Sequence, residues 1–162
     1  MHVTGEDRVN QNILDRFRVF AGSGRLAHAY LLTGPRGSGK FSTAMAVARM
    51  LNCEADDASL RPCGDCGPCR KIAGQNHPDV FLCDQGQDES IKIQTIRDVI
   101  GRMQLRPYEA RIKVVIIRGV DLMTPEASNA FLKTLEEPSH NSLILLTTHA
   151  PDRLLDTVKS RC

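Results

Sequence analysis

Gly34-Pro35-Arg36-Gly37-Ser38-Gly39-Lys40 has the glycine and lysine spacing of a phosphate-cradling loop. In such a loop backbone N–H groups surround a nucleotide's phosphates and the lysine neutralises them. Phosphoryl chemistry there requires a Ser or Thr directly after the lysine, whose hydroxyl ligates magnesium. Phe41 stands at that position and offers no ligand atom, and Ser42 follows it. Ser42 and Thr43 carry hydroxyls, but each further helical residue turns about 100° around the axis, so neither simply replaces the missing one. A second requirement is an acid pair at the end of an apolar strand, one member for the metal and one to activate water. The candidate strand is Val114-Val115-Ile116-Ile117, and Arg118-Gly119 fills the two acid positions. Asp121 comes three residues late and is expected as a loop or surface acid rather than a displaced metal ligand. Two independent departures thus point the same way: ATP or ADP held weakly at Gly34 to Ser42, magnesium not expected, and no hydrolysis. Charge alone leaves Arg118 two opposite roles, a stand-in for the missing cation or a group that blocks the site. The competing interpretation of the loop is a glycine-rich turn that merely joins a strand to a helix.

Cys53-x9-Cys63-x2-Cys66-x2-Cys69 places four thiols within seventeen residues, with Gly64, Gly67 and Pro68 for tight turns. Four thiolates suffice for one tetrahedral Zn2+ and leave no open position, so the zinc would be structural. A cluster of free thiols is the alternative. His77 is a further potential ligand that four cysteines make unnecessary, and it is expected as a loop histidine. Cys83 lies in a strand and is expected as a buried core thiol. Arg161, near the end of the sequence in Ser160-Arg161-Cys162, is by itself an ordinary helix-end cation.

The elements that must hold these residues alternate. Val9, Ile13, Phe17 and Phe20 recur at helical spacing, which predicts a helix over 6–21. Ala29 to Leu32 is a short apolar strand running straight into the glycine loop, and a helix from Lys40 to about Leu51 leaves it. That strand–loop–helix context is what a phosphate loop requires. After the cysteine segment come a short helix to about Gly74, a strand near Val80 to Leu82 and a loop over 85–90. A helix marked by Ile93, Ile96, Ile100 and Met103 follows. Lys113 to Ile117 reads as a central parallel strand. Thr124-Pro125-Glu126 starts a helix that Pro138 stops, Leu143 to Leu146 is the next strand, and Pro151 onward is expected to be helical. The alternation predicts an α/β fold with a parallel sheet covered on both faces. At 162 residues the chain suits one well-buried domain. A net charge of +2 gives no general push toward nucleic acid. No apolar run approaches the roughly 20 residues of a membrane span, and the polar start lacks a signal-peptide core, which points to the cytoplasm and to no membrane partner.

Several runs together resemble bacterial clamp-loader subunits of DNA polymerase III. They are His28-Ala29-Tyr30-Leu31-Leu32-Thr33-Gly34, the four-cysteine insert after the glycine-loop helix, and His77-Pro78-Asp79. Ala127-Ser128-Asn129-Ala130-Phe131-Leu132-Lys133-Thr134-Leu135-Glu136-Glu137-Pro138 and Ser160-Arg161-Cys162 complete the set, in the right order. The resemblance implies a RecA-like AAA+ P-loop domain over 1–162, with a zinc module at about 53–69 and with lid and collar domains expected after 162. Motor subunits of the family (gamma/tau) carry the loop threonine and the Asp-Glu pair, whereas the delta prime branch has a degenerate site and serves as a stator. Phe41, Arg118 and Gly119 depart from the motor pattern, and Pro107-Tyr108-Glu109 and Met123-Thr124-Pro125-Glu126-Ala127 resemble the delta prime branch. By the resemblance Arg161 is an arginine finger, reaching the γ-phosphate of ATP on a neighbouring motor subunit, and Thr148 falls at the family's sensor threonine. The implied partners are gamma/tau and delta subunits and, through the complex, the sliding clamp and primed DNA. The implied assembly is a nucleotidyltransferase holoenzyme. Two alternatives stand beside this: an ATP-hydrolysing gamma/tau-like motor with an atypical magnesium site, and a zinc-stabilised DNA-binding module, against which the near-neutral charge argues.

Overall fold

A computed structural model describes residues 8–86 and 89–162. The strands Ala29–Thr33 (β1), Val80–Cys83 (β2), Lys113–Arg118 (β3) and Ser142–Thr148 (β4) form one parallel sheet in the order β1-β4-β3-β2. In the two central strands Val114 to Ile117 and Leu143 to Leu146 are all fully buried. The two-residue period of a strand sends Val114, Ile116, Leu143 and Leu145 to one face and Val115, Ile117, Ile144 and Leu146 to the other. Gln11–Gly22 (α1), Lys40–Asn52 (α2) and Gly67–Ala73 (α3) cover the first face. Ile93–Gln104 (α4), Pro125–Glu136 (α5) and Asp156–Lys159 (α6) cover the second. Because both faces are roofed, the middles of the central strands, Val114 to Ile117 and Leu143 to Leu146, are continuously apolar rather than alternating, as the β-branched run at 113–117 led one to expect.

The first helix starts later than its apolar spacing predicts. Residues 6 and 7 of the expected helix lie outside the described residues, and Arg8 to Asn10 are not helical. Asn10 is the cap: its side chain accepts the Ile13 N–H at 3.2 Å, and its own N–H donates to Thr43 Oγ1 at 2.9 Å. Val9 therefore packs against the core from the non-helical segment before α1. Gln87 and Asp88 of the expected 85–90 loop also lie outside the described residues. From Pro151 the chain makes a 3-10 turn, Pro151–Arg153, and only then the short α6, because Leu154 is extended between them. α5 begins as predicted, with Thr124 Oγ1 accepting the Ala127 N–H and Pro125 in the first turn.

The motif His28-Ala29-Tyr30 is structural in this fold. His28 Nε2 lies 2.8 Å from the Leu135 carbonyl, tying the start of β1 to the end of α5. The Tyr30 ring packs edge-on against Phe17 at 4.6 Å and stacks on Phe20, joining α1 to the sheet. Cys83 is buried, as expected. Among the described residues no helix is long and apolar enough to cross a membrane.

Candidate functional site

A parallel sheet delivers all its strand ends to one edge, and the residues that follow them converge there. The glycine loop follows β1, Asp84 follows β2, Arg118 closes β3, and Thr147 and Thr148 close β4. With Phe41, Ser42, Gly119 and His149 they line a cavity of about 390 Å³. The loop has the backbone a phosphate cradle needs: Gly37 and Gly39 hold φ of +74° and +76°. At Gly39 a Cβ would lie 1.7 Å from the Arg8 carbonyl oxygen, so only glycine fits beneath that segment. Lys40 Nζ donates to the carbonyls of Gly34 and Pro35 at 2.7 and 2.6 Å and to Ser38 Oγ at 3.1 Å, folding over the loop it ends. Thr43 is no replacement ligand. Its fully buried hydroxyl donates to the Gly39 carbonyl at 2.7 Å and accepts the Asn10 N–H.

The two departures from the phosphoryl-transfer pattern meet in space. The Arg118 guanidinium sits 5.1 Å from the Phe41 ring centroid, and its Nη1 donates to Asp84 Oδ2 at 3.1 Å. Asp84 Oδ1 in turn accepts the Gly86 N–H at 3.0 Å. A cation on an aromatic face stands where a hydroxyl and a carboxylate would hold magnesium, so these residues do not fit that ion.

Asp121 corrects the sequence expectation, because its side chain is fully buried rather than at the surface. Gly119, at φ +71°, turns the chain into the 3-10 turn Val120–Leu122 and folds the carboxyl back toward β4. There Thr148 Oγ1 donates to Asp121 Oδ1 and accepts the Ala150 N–H at 2.9 Å. Asp121 Oδ2 has no hydrogen-bond partner among the described residues, and His149 Nδ1 lies 3.8 Å from it. The hydroxyl of Thr148, the sensor-like position, is thus engaged by a buried acid.

The cysteines come together as their spacing predicts. The four Sγ atoms of Cys53, Cys63, Cys66 and Cys69 lie within 4.8 Å of one another, with Cys66 and Cys53 at 3.9 Å. Tetrahedral zinc with thiolate bonds of about 2.3 Å would space its sulfurs at about 3.8 Å, so the set fits that ion. Backbone N–H groups of Cys66 and Asp65 pull the Cys63 thiol down to about 7, while burial pushes that of Cys69 up to about 12. A cation at the centre is what would keep the buried Cys69 as thiolate. Cys53 continues from the end of α2, and Cys69 lies on α3, whose first turn holds Gly67 and Pro68.

Two motifs noted separately in the sequence form one unit beside this module. The buried Asp79 carboxylate accepts the backbone N–H groups of Tyr108, Glu109 and Ala110 at 2.8 to 2.9 Å. Glu109 then receives Lys71 Nζ of α3 at 2.7 Å and lies 3.5 Å from His77 Nε2. His77 is a loop residue as expected, buried, with Nδ1 accepting the Asp79 N–H. His77-Pro78-Asp79 thus anchors the approach to β3 and, through Glu109, the cysteine module. The 29 to 31 residues separating these partners left no local signal of the pairing.

Arg161 lies at the end of α6. Its Nη1 donates to the Thr157 carbonyl at 2.7 Å and its Nη2 to Glu136 on α5. It is not among the described residues lining the cavity.

A family model for DNA polymerase III, delta subunit, matches residues 9–162. The chain is 40% identical over 142 residues to DNA polymerase III subunit delta' of Pseudomonas aeruginosa, covering 87% of this chain and 43% of that protein. It is also 40% identical over 139 residues to subunit tau of Escherichia coli, covering 86% of this chain and 21% of that one. It therefore spans less than half the length of these curated relatives. Among solved structures, a gamma subunit-related protein of DNA polymerase III from Thermotoga maritima superposes with a TM-score of 0.71 at 25% identity, over 91% of this chain and 43% of that one. The RuvB Holliday junction branch migration motor of the same organism shares the fold alone, with a TM-score of 0.53 at 16% identity over 94% of this chain and 43% of that one.

Proposed function

The chain belongs to the DNA polymerase III delta-subunit family, and from that membership we propose that it works as a delta prime-type clamp-loader subunit: a stator that hydrolyses no ATP itself and donates Arg161 to ATP held by a neighbouring tau/gamma-type subunit. Identity does not choose between branches, being equal to a delta prime and to a tau subunit. The observation that carries the choice is the Phe41–Arg118 contact, because it removes both magnesium ligands of a working motor at once. Two features support the role of Arg161. It stands apart from the chain's own cavity, and Glu136 and the Thr157 carbonyl orient a half-exposed guanidinium at the end of α6. A planar cation supplied in trans stabilises the charge on a transferring phosphoryl group. The four cysteines would hold one structural zinc, the glycine loop would retain weak affinity for ATP or ADP, and clamp and primed DNA would be met through the assembled complex.

Reconstitution with tau/gamma- and delta-type subunits tests this. Arg161→Ala is expected to leave assembly intact and to slow DNA-stimulated ATP hydrolysis at the site it serves by about 10³-fold. Arg161→Lys is expected not to restore the rate, since an ammonium lacks the planar fork. An unchanged rate overturns the trans role, and magnesium-dependent hydrolysis by this chain alone, lost on Lys40→Ala, would favour the motor instead.

A further inference from the structure

The cavity at the sheet edge keeps the backbone of a phosphate cradle without the usual metal ligands, and the arginine in their place is held by Phe41 and Asp84. Resting on the interpretation of this loop as a nucleotide site, we propose that the cavity takes the polyphosphate of a nucleotide without a divalent cation, Arg118 supplying the positive charge that magnesium would bring. Three side chains lining it, Arg36, Lys40 and Arg118, are cationic, and Asp84 is the one acid among the described lining residues. Asp84 is bound to Arg118 on one side and to the Gly86 N–H on the other, so it orients the guanidinium rather than offering a ligand to a metal.

The Phe41 ring fixes the guanidinium from a second direction, at 5.1 Å. An arginine held by an aromatic face and a carboxylate is preorganised, so little side-chain freedom is lost when phosphate arrives. Its planar fork and weak hydration also suit phosphate oxygens better than a lysine would. Arg118 does not plug the site, since about 390 Å³ of space remains with it in place, within the range of small-ligand sites. A magnesium ion carried in on the nucleotide would face this fixed cation at close range and be repelled. The metal-free nucleotide is accordingly the preferred species, the reverse of the order in a working motor.

Calorimetric titration of the full chain with ADP, in EDTA and again in excess magnesium, tests this. ADP is expected to bind in EDTA, and magnesium is expected to weaken the binding. Arg118→Ala should lower affinity by about tenfold or more, with thermal unfolding used to verify the fold, and Arg118→Lys should retain part of the affinity. Tighter binding in magnesium, or equal or tighter binding by Arg118→Ala, overturns the role of Arg118 while leaving a nucleotide site. No binding of ADP or of inorganic pyrophosphate by the unmodified chain overturns the nucleotide site itself. Neither outcome touches Arg161, whose role is measured in the hydrolysis of ATP on another subunit.

Discussion

The two ends of α2 serve two sites built on opposite plans. At its first turn Lys40 and Phe41 face a cavity assembled from the ends of all four strands. Past its last turn Cys53 begins a module whose four sulfur atoms come from seventeen consecutive residues. The module is local and carries a complete ligand set for its chemistry. The cavity is non-local and carries half of one: a loop with the backbone of a phosphate cradle, without the groups that would hold magnesium. A local site stands or falls with a few neighbouring residues, whereas a site assembled from distant strands can exchange one function for another in pairs. Phe41 and Arg118 are such a pair, 77 positions apart and in contact.

The sharpest way to break the comparison is to remove the module's completeness. Metal analysis of the native chain is expected to give one zinc, and Cys69→Ala to lose it to a chelator that the native chain withstands, because three sulfurs hold the ion less tightly and leave its fourth position to water. Structural zinc contributes about 10–16 kcal/mol of binding free energy in small zinc peptides. Here the sheet has its own two-faced core, so the loss should be smaller, about 5 kcal/mol, and confined to the module. Hydrogen exchange should show residues 53–69 losing protection while β3 and β4 keep theirs. A folded, metal-free native chain would abolish the contrast between the two ends of α2.

Asp79 tests how the module is fastened to the sheet. Burial pushes its carboxyl up, but the backbone N–H groups of Glu109, Tyr108 and Ala110 together hold it below the ordinary range. A carboxyl lowered on folding contributes stability that is complete above its unfolded value near 3.9 and is lost as pH falls through the folded value. Asp79→Asn is expected to cost about 2–4 kcal/mol at pH 7, from loss of charge-assisted bonds to buried donors. Urea denaturation should show that deficit shrinking as pH falls below about 4, where the unfolded carboxyl takes up its proton first, and levelling off below the lower folded value, where the native carboxyl is neutral too. A deficit independent of pH would mean that shape, not charge, fastens this corner.

What was legible in the sequence follows the same division. The two central strands and the capped start of α5 were visible because burial on both faces and Thr124-Pro125 leave marks within a few residues. The cysteine cluster was visible because its ligands are neighbours. The fate of Asp121 was not, since the left-handed Gly119 turns it inward and nothing in the spacing announces that turn. The delayed start of α1 was hidden because Val9 fits the helical period although Asn10 caps the helix after it. The union of His77-Pro78-Asp79 with Tyr108 to Ala110, and of Glu136 with Arg161, depends on topology that no local window contains. Sequence spacing identified the pieces of the cavity and the fold decided which of them touch.

The smallest expected effect bears most directly on whether the cavity's two departures are one event. Thermodynamic coupling between Phe41 and Arg118, measured by a double-mutant cycle with Phe41→Leu and Arg118→Gln, isolates their contact from what each does alone. Both side chains are half-buried, so the coupling should fall near 1 kcal/mol, between the exposed and desolvated limits for a cation on an aromatic face. The Arg118–Asp84 bond is present in both halves of the Phe41 comparison and therefore cancels. Adding 1 M salt should reduce the coupling only slightly, because the ring, unlike a surface carboxylate, is shielded by the guanidinium lying on it. A coupling of zero would make the two substitutions independent losses, and the cavity would then be a decayed motor site rather than one rebuilt around an arginine.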